Sequence, residues 1–152
     1  MNRTDPPSAA GEYEILVGFL DFLRGTIALK TDDLDATGLA QPLAPSTMTL
    51  GGLLKHLAFV ENYWLVYRFD RQDPGEPWES ADWSADPDWE WNSAAADSPE
   101  QLRALWRGAV ETSRAIVAPD RIDELCRPGG DGSQQSLRWI LVHLIEEYAR
   151  HC

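Results

Sequence analysis

All three histidines of this chain fall in two stretches that read alike. Thr49-Leu-Gly-Gly-Leu-Leu-Lys-His56-Leu57 runs parallel to Ser136-Leu-Arg-Trp-Ile-Leu-Val-His143-Leu144, and the second stretch continues through Glu147 to His151. Each opens on a hydroxyl residue suited to capping a helix and meets an imidazole seven residues later. Imidazole nitrogens and carboxylate oxygens bind divalent ions at about 2.0–2.2 Å. Glu147 and His151 stand four residues apart, so they rise from one face of a helix. His56 would join them from another helix, across the protein interior. A set of two histidines and one carboxylate leaves positions free for water or substrate, as a catalytic metal requires.

The same residues have plainer readings, and these stay open at this point. A single histidine on a helix is commonly a hydrogen-bonded structural residue, and a Glu–His pair one turn apart is commonly a surface interaction. His143 fits a fourth ligand, a packed histidine, or a support that orients Glu147 through a hydrogen bond; the last two are favoured. Glu61 and Glu146 offer alternative carboxylates at less suitable rotations. Glu61, Trp64 and Tyr148 are expected to line a pocket. Because the helix that carries it reaches almost to the last residue, a frayed turn is expected around His151.

Helices must position these residues, and the pattern supplies four long ones. Ile15, Leu16, Phe19, Leu20, Phe22, Leu23 and Ile27 describe one apolar face from Glu12 onward. Pro42 and Pro45 mark a loop, after which Thr49 caps a helix expected to reach about Phe69 with Leu53, Leu54, Leu57, Val60, Trp64 and Tyr67 on its apolar side. Gly51 and Gly52 weaken its start but permit close approach by a neighbour. Ser98-Pro99-Glu100-Gln101 is a capping box with proline in the first turn. It opens a helix expected to run to about Ala118. The fourth helix begins near Leu137. Between the second and third lies the acidic segment 70–97, with Trp78, Trp83, Trp89 and Trp91 among prolines. It is long for a plain connection. Its indoles either pack on the helices or cover a functional opening.

At 152 residues the chain has the size of one domain. Residues 1–11 are expected to be a flexible lead-in and 12–152 a single unit. A formal net charge of -12 argues against nucleic-acid binding, which needs positive surface to meet phosphates. No apolar run approaches the roughly 18 residues of a membrane span, and no secretory leader is evident. Cys126 and Cys152 are too few for a disulfide framework, which makes a reduced, cytoplasmic setting the expectation.

The stretches Gly51-Gly-Leu-Leu-Lys-His-Leu-Ala-Phe-Val-Glu-Asn-Tyr-Trp64 and Ser136-Leu-Arg-Trp-Ile-Leu-Val-His-Leu-Ile-Glu-Glu-Tyr-Ala-Arg-His151 resemble the DinB-like superfamily, in its DUF664 branch. The resemblance implies an all-α four-helix bundle, up-down-down-up, with a long crossover between its second and third helices. It implies a divalent metal, zinc or nickel, held at the positions of His56, Glu147 and His151. Many superfamily members have histidine where this chain has Glu147. The resemblance further implies a transferase that uses mycothiol or a similar low-molecular-weight thiol against an electrophilic small molecule. A homodimer is expected on separate grounds, since helical bundles readily pair through an apolar stripe. Metal-assisted hydrolysis and a non-enzymatic, metal-binding stress or interaction protein are the competing expectations.

Overall fold

The computed structural model describes residues 3–42 and 44–151. Among them the regular structure is all helical, and strand pairing is confined to two isolated bridges, Pro42 with Thr49 and Leu125 with Ser136. The long helices are α1 (Glu12–Thr31), α3 (Leu50–Glu61), α5 (Pro99–Ile116) and α6 (Leu137–His151). Two short helices, α2 (Ala36–Ala40) and α4 (Trp89–Asn92), lie in the connections. α3 packs on α5 and α1 on α6, while α3 also touches α6. Among the described residues no helix is long and apolar enough to cross a membrane.

The helix starts follow from single side chains. Thr49 Oγ1 accepts from Gly52 N at 3.0 Å, and Ser136 Oγ accepts from Trp139 N at 3.3 Å. The two histidine-bearing stretches therefore enter their helices in the same way, each from a bridge through a hydroxyl cap. At α5 the capping box closes in both directions, with Gln101 N on Ser98 Oγ and Ser98 N on Gln101 Oε1. α2 was not expected from the pattern. Asp35 caps it by accepting from Gly38 N at 2.9 Å. Residues 3–11 have no regular structure but lie along α1. There Pro7 abuts Gly18, and the Arg3 guanidinium sits 4.6 Å above the Phe22 ring.

Two apolar faces differ from the expected ones. On α1 the buried stripe is Leu20, Arg24, Ile27, Ala28 and Thr31, and Phe19 is exposed. The second helix does reach Phe69, but residues Asn62–Phe69 are wound as a π-helix. Asp70 N bonds Leu65 O at 2.9 Å, an i to i−5 step. Wider turns delay each later residue around the axis. Leu65, Val66 and Phe69 consequently take the buried side, and Trp64 and Tyr67 rotate toward the rim.

Through the core runs a polar ladder. Arg24 Nε and Nη2 donate to the two oxygens of Glu61 at 2.7 and 2.6 Å. Tyr148 Oη donates to Glu61 Oε1 at 2.8 Å, and Trp106 Nε1 donates to Tyr148 Oη at 2.8 Å. One residue from each long helix takes part, and all four are buried. Burial, and then the Glu61 charge, lift the Tyr148 pKa far above the usual phenol value, so its proton stays in place to be donated. Burial by itself would lower the Arg24 pKa, but the Glu61 carboxylate raises it.

Arg24→Ala leaves the Glu61 carboxylate buried without its cation. It is expected to cost about 3–5 kcal/mol in urea unfolding, whereas Arg24→Met combined with Glu61→Leu should recover at least about half of that loss. A cost below about 1 kcal/mol for Arg24→Ala, the scale of an exposed pair, would contradict the ladder's role.

Candidate metal centre

α3 and α6 bring His56, Glu147 and His151 together. One ligand atom from each lies within 4.8 Å of the other two, and all three residues are partly buried. His56 Nε2 stands 3.7 Å from Glu147 Oε2. The His56 and His151 rings meet edge to face with centroids 5.6 Å apart. Donors on a tetrahedral ion with bonds of about 2.1 Å are about 3.4 Å apart, so small rotations of these side chains suffice to hold one. The donor set, nitrogen and carboxylate oxygen, suits a divalent transition-metal ion.

The tautomer of His56 follows from its other neighbour. Glu90 Oε1 lies 3.0 Å from His56 Nδ1, and a carboxylate can only accept. Nδ1 therefore carries the proton, and the Nε2 lone pair is turned toward Glu147 and His151. The Trp91 ring stacks on His56 at 4.5 Å and 24°, closing the opposite face. Trp91 reaches this position because Gly52 has no side chain: a Cβ there would come within 2.8 Å of Trp91 Cε3. A Cβ at Gly51 would in turn come within 3.2 Å of Leu39 O and of Leu102 Cδ1. The two glycines thus dock α4 and α2 beside His56.

On α6, burial and then the neighbouring His56 lower the His151 pKa from the ordinary histidine value. This preserves the neutral imidazole a metal needs. His143 sits on the far side of Glu147, its Nε2 3.6 Å from Glu147 Oε1. It stacks on Trp139 at 5.0 Å and meets Trp64 edge-on at 5.0 Å. It is therefore a packed histidine whose Nε2 edge faces the carboxylate. Glu146 faces outward and pairs with Arg150.

The expected pocket residues lie elsewhere. Glu61 and Tyr148 are fully buried in the ladder, because only there does the Glu61 carboxylate meet Arg24. Trp64 packs on Trp139 and His143 at the rim. The cavity beside the histidines, about 680 Å³, lies instead between α2, α4 and the start of α5, lined by Leu39, Met48, His56, Trp91, Leu102 and His151 among others. The indoles of segment 70–97 divide their labour. Trp78 is buried, Trp83 packs at a tilt on Phe59 at 4.7 Å, and Trp89 lies under the Lys55 ammonium at 4.5 Å. Trp91 faces the cavity. Glu90 is the functional residue that sequence reasoning missed. Its only sequence signal is its place next to a tryptophan in a segment without periodicity.

These features define an all-helical protein with a metal-competent His–Glu–His cluster beside a cavity. A model of the mycothiol-S-transferase family matches residues 15–152, and the chain belongs to that family, as the DinB-like character of its two histidine stretches indicated. No curated protein matches it.

Glu90→Gln removes the charge that holds the Nδ1 proton of His56 and should weaken zinc binding about 10–100-fold in a chelator competition. An unchanged affinity would contradict the orienting role. In metal-free protein, a lowered pKa means that His151 stays neutral further into the acid range. Its NMR titration midpoint should fall below about 6.5, and a midpoint at or above it would contradict the burial argument.

Proposed function

We propose that this protein is a divalent-metal-dependent S-transferase in which His56, Glu147 and His151 hold zinc or nickel and mycothiol supplies the thiol. The observation that carries this reading is the convergence of the three residues from α3 and α6 at the edge of a cavity large enough for a small-molecule pair. A divalent ion bound there supplies positive charge that lowers the pKa of a thiol. The residues do the rest. Glu90 fixes His56, Trp91 shields it from water, and the apolar wall of Leu39, Met48 and Leu102 receives the electrophile's body. The thiol proton leaves to solvent. The sulfur lone pair then forms a bond to an electrophilic carbon, and the leaving group departs with its electron pair.

The same reading takes residues 12–152 as one domain. Its four long helices form an up-down-down-up bundle, with segment 70–97 as the crossover between the second and third. It also places the protein in the cytoplasm, where reduced thiols are available, as a homodimer.

His56→Ala and Glu147→Ala should each abolish stoichiometric zinc or nickel and lower mycothiol conjugation by about two orders of magnitude or more, the scale of losing a principal electrostatic stabiliser. Turnover that needs water but no thiol would replace this reading with hydrolysis. Wild-type protein that takes up no metal would remove it.

A further inference from the structure

The cavity wall carries an unusual balance of charge. Among the described residues no lysine or arginine lines it, while Asp88 and Asp97 do. Glu147 belongs to the ligand cluster at its edge, and Glu90 stands directly behind His56 with Oε2 buried and unpartnered. Lys55 is the cation nearest these groups in the contacts seen. Its ammonium is buried, held by Asp97 Oδ2 at 2.5 Å and lying over Trp89.

The neighbouring arginines are committed elsewhere. Arg103, on the first turns of α5, donates to the carbonyls of Thr31 and Leu34. Arg150, whose charge reaches the adjacent His151, is offset by Glu146, with which it pairs on the outer face. Four carboxylates thus stand against one ammonium. A dication accompanied by a thiolate adds one positive charge, so the chamber stays negative when loaded. Having Glu147 rather than a neutral imidazole among the ligands contributes to that sign. The rest of the wall is mainly apolar, through Leu39, Met48, Ala94 and Leu102, with Thr47, Thr49 and Asn92 adding uncharged polar groups.

From this we infer that the second substrate is an electrophile with an apolar body and no anionic group, uncharged or cationic, and that carboxylate-bearing electrophiles are rejected. The inference rests on the transferase reading for the word electrophile. The charge selection itself belongs to the cavity and can be read without turnover. Field lines in a low-dielectric cleft act on any charged ligand, and their effect shrinks as salt shortens the screening length.

The test uses three unreactive ligands that share a 4-phenylbutyl body and end in an amide, a carboxylate or a trimethylammonium group. Binding is measured by calorimetry to the full chain in two states: metal-free, and loaded with zinc and mycothiol. At about 0.01 M ionic strength, where screening extends over about 30 Å, the amide and the ammonium should bind at least about tenfold more tightly than the carboxylate. The gap should narrow at about 1 M salt, where screening acts within about 3 Å. Asp88→Lys should narrow it at low salt as well. A carboxylate that binds as tightly as the amide at low salt would overturn the inference. So would a gap indifferent to both salt and Asp88→Lys, or failure of all three ligands to bind. Absence of thiol turnover leaves the binding order readable, so the transferase reading and the charge selection fail separately.

Discussion

A buried ion pair sets the frame of this protein. Arg24 and Glu61 meet through two hydrogen bonds with both side chains almost wholly removed from water. Such a pair adds little net stability over a well-packed apolar one, but any arrangement that separates its members leaves a bare charge in the core. Tyr148 and Trp106 extend the constraint, so a single hydrogen-bonded line spans α1, α3, α6 and α5. Glu61 follows His56 by five residues on α3, and Tyr148 lies between Glu147 and His151 on α6. The ladder therefore holds the two ligand-bearing helices in register, one turn from where the ligands converge.

Around that frame the site is assembled from short-range consequences of particular residues. Two adjacent glycines let α2 and α4 close on α3. α4 then delivers a carboxylate to one nitrogen of His56 and an indole to its face. The carboxylate fixes the tautomer, and the indole limits water. Glu147 is placed between two imidazoles, His56 on one oxygen and His143 on the other. Its charge both suits a divalent ion and keeps the adjoining cavity negative.

Much of this was legible in the sequence where the determinant is local. Thr49, Ser98 and Ser136 announce their helices because a capping hydroxyl needs only the backbone three residues on. The spacing of Glu147 and His151 announces a shared face for the same reason. What the sequence hid depends on distant partners. Arg24 sits at helical spacing between Leu20 and Ile27, which is a sign of a buried charge. Without its partner Glu61, 37 residues away, that sign is ambiguous. Glu61 and Tyr148 look like pocket residues for want of the same information. The π-helical turns over Asn62–Phe69 shift the buried face by about one residue, and no propensity rule marks them. Glu90 reaches His56 across 34 residues from a segment with no periodicity.

The proposed function requires that α3 and α6 together present one metal centre made of His56, Glu147 and His151. X-ray absorption at the zinc edge on the zinc-loaded full chain tests it most directly. One zinc per chain is expected, with two imidazoles and a carboxylate oxygen in its coordination, and a sulfur neighbour that appears when mycothiol is added. Substoichiometric zinc, or coordination that keeps both imidazoles in His56→Ala, would contradict it.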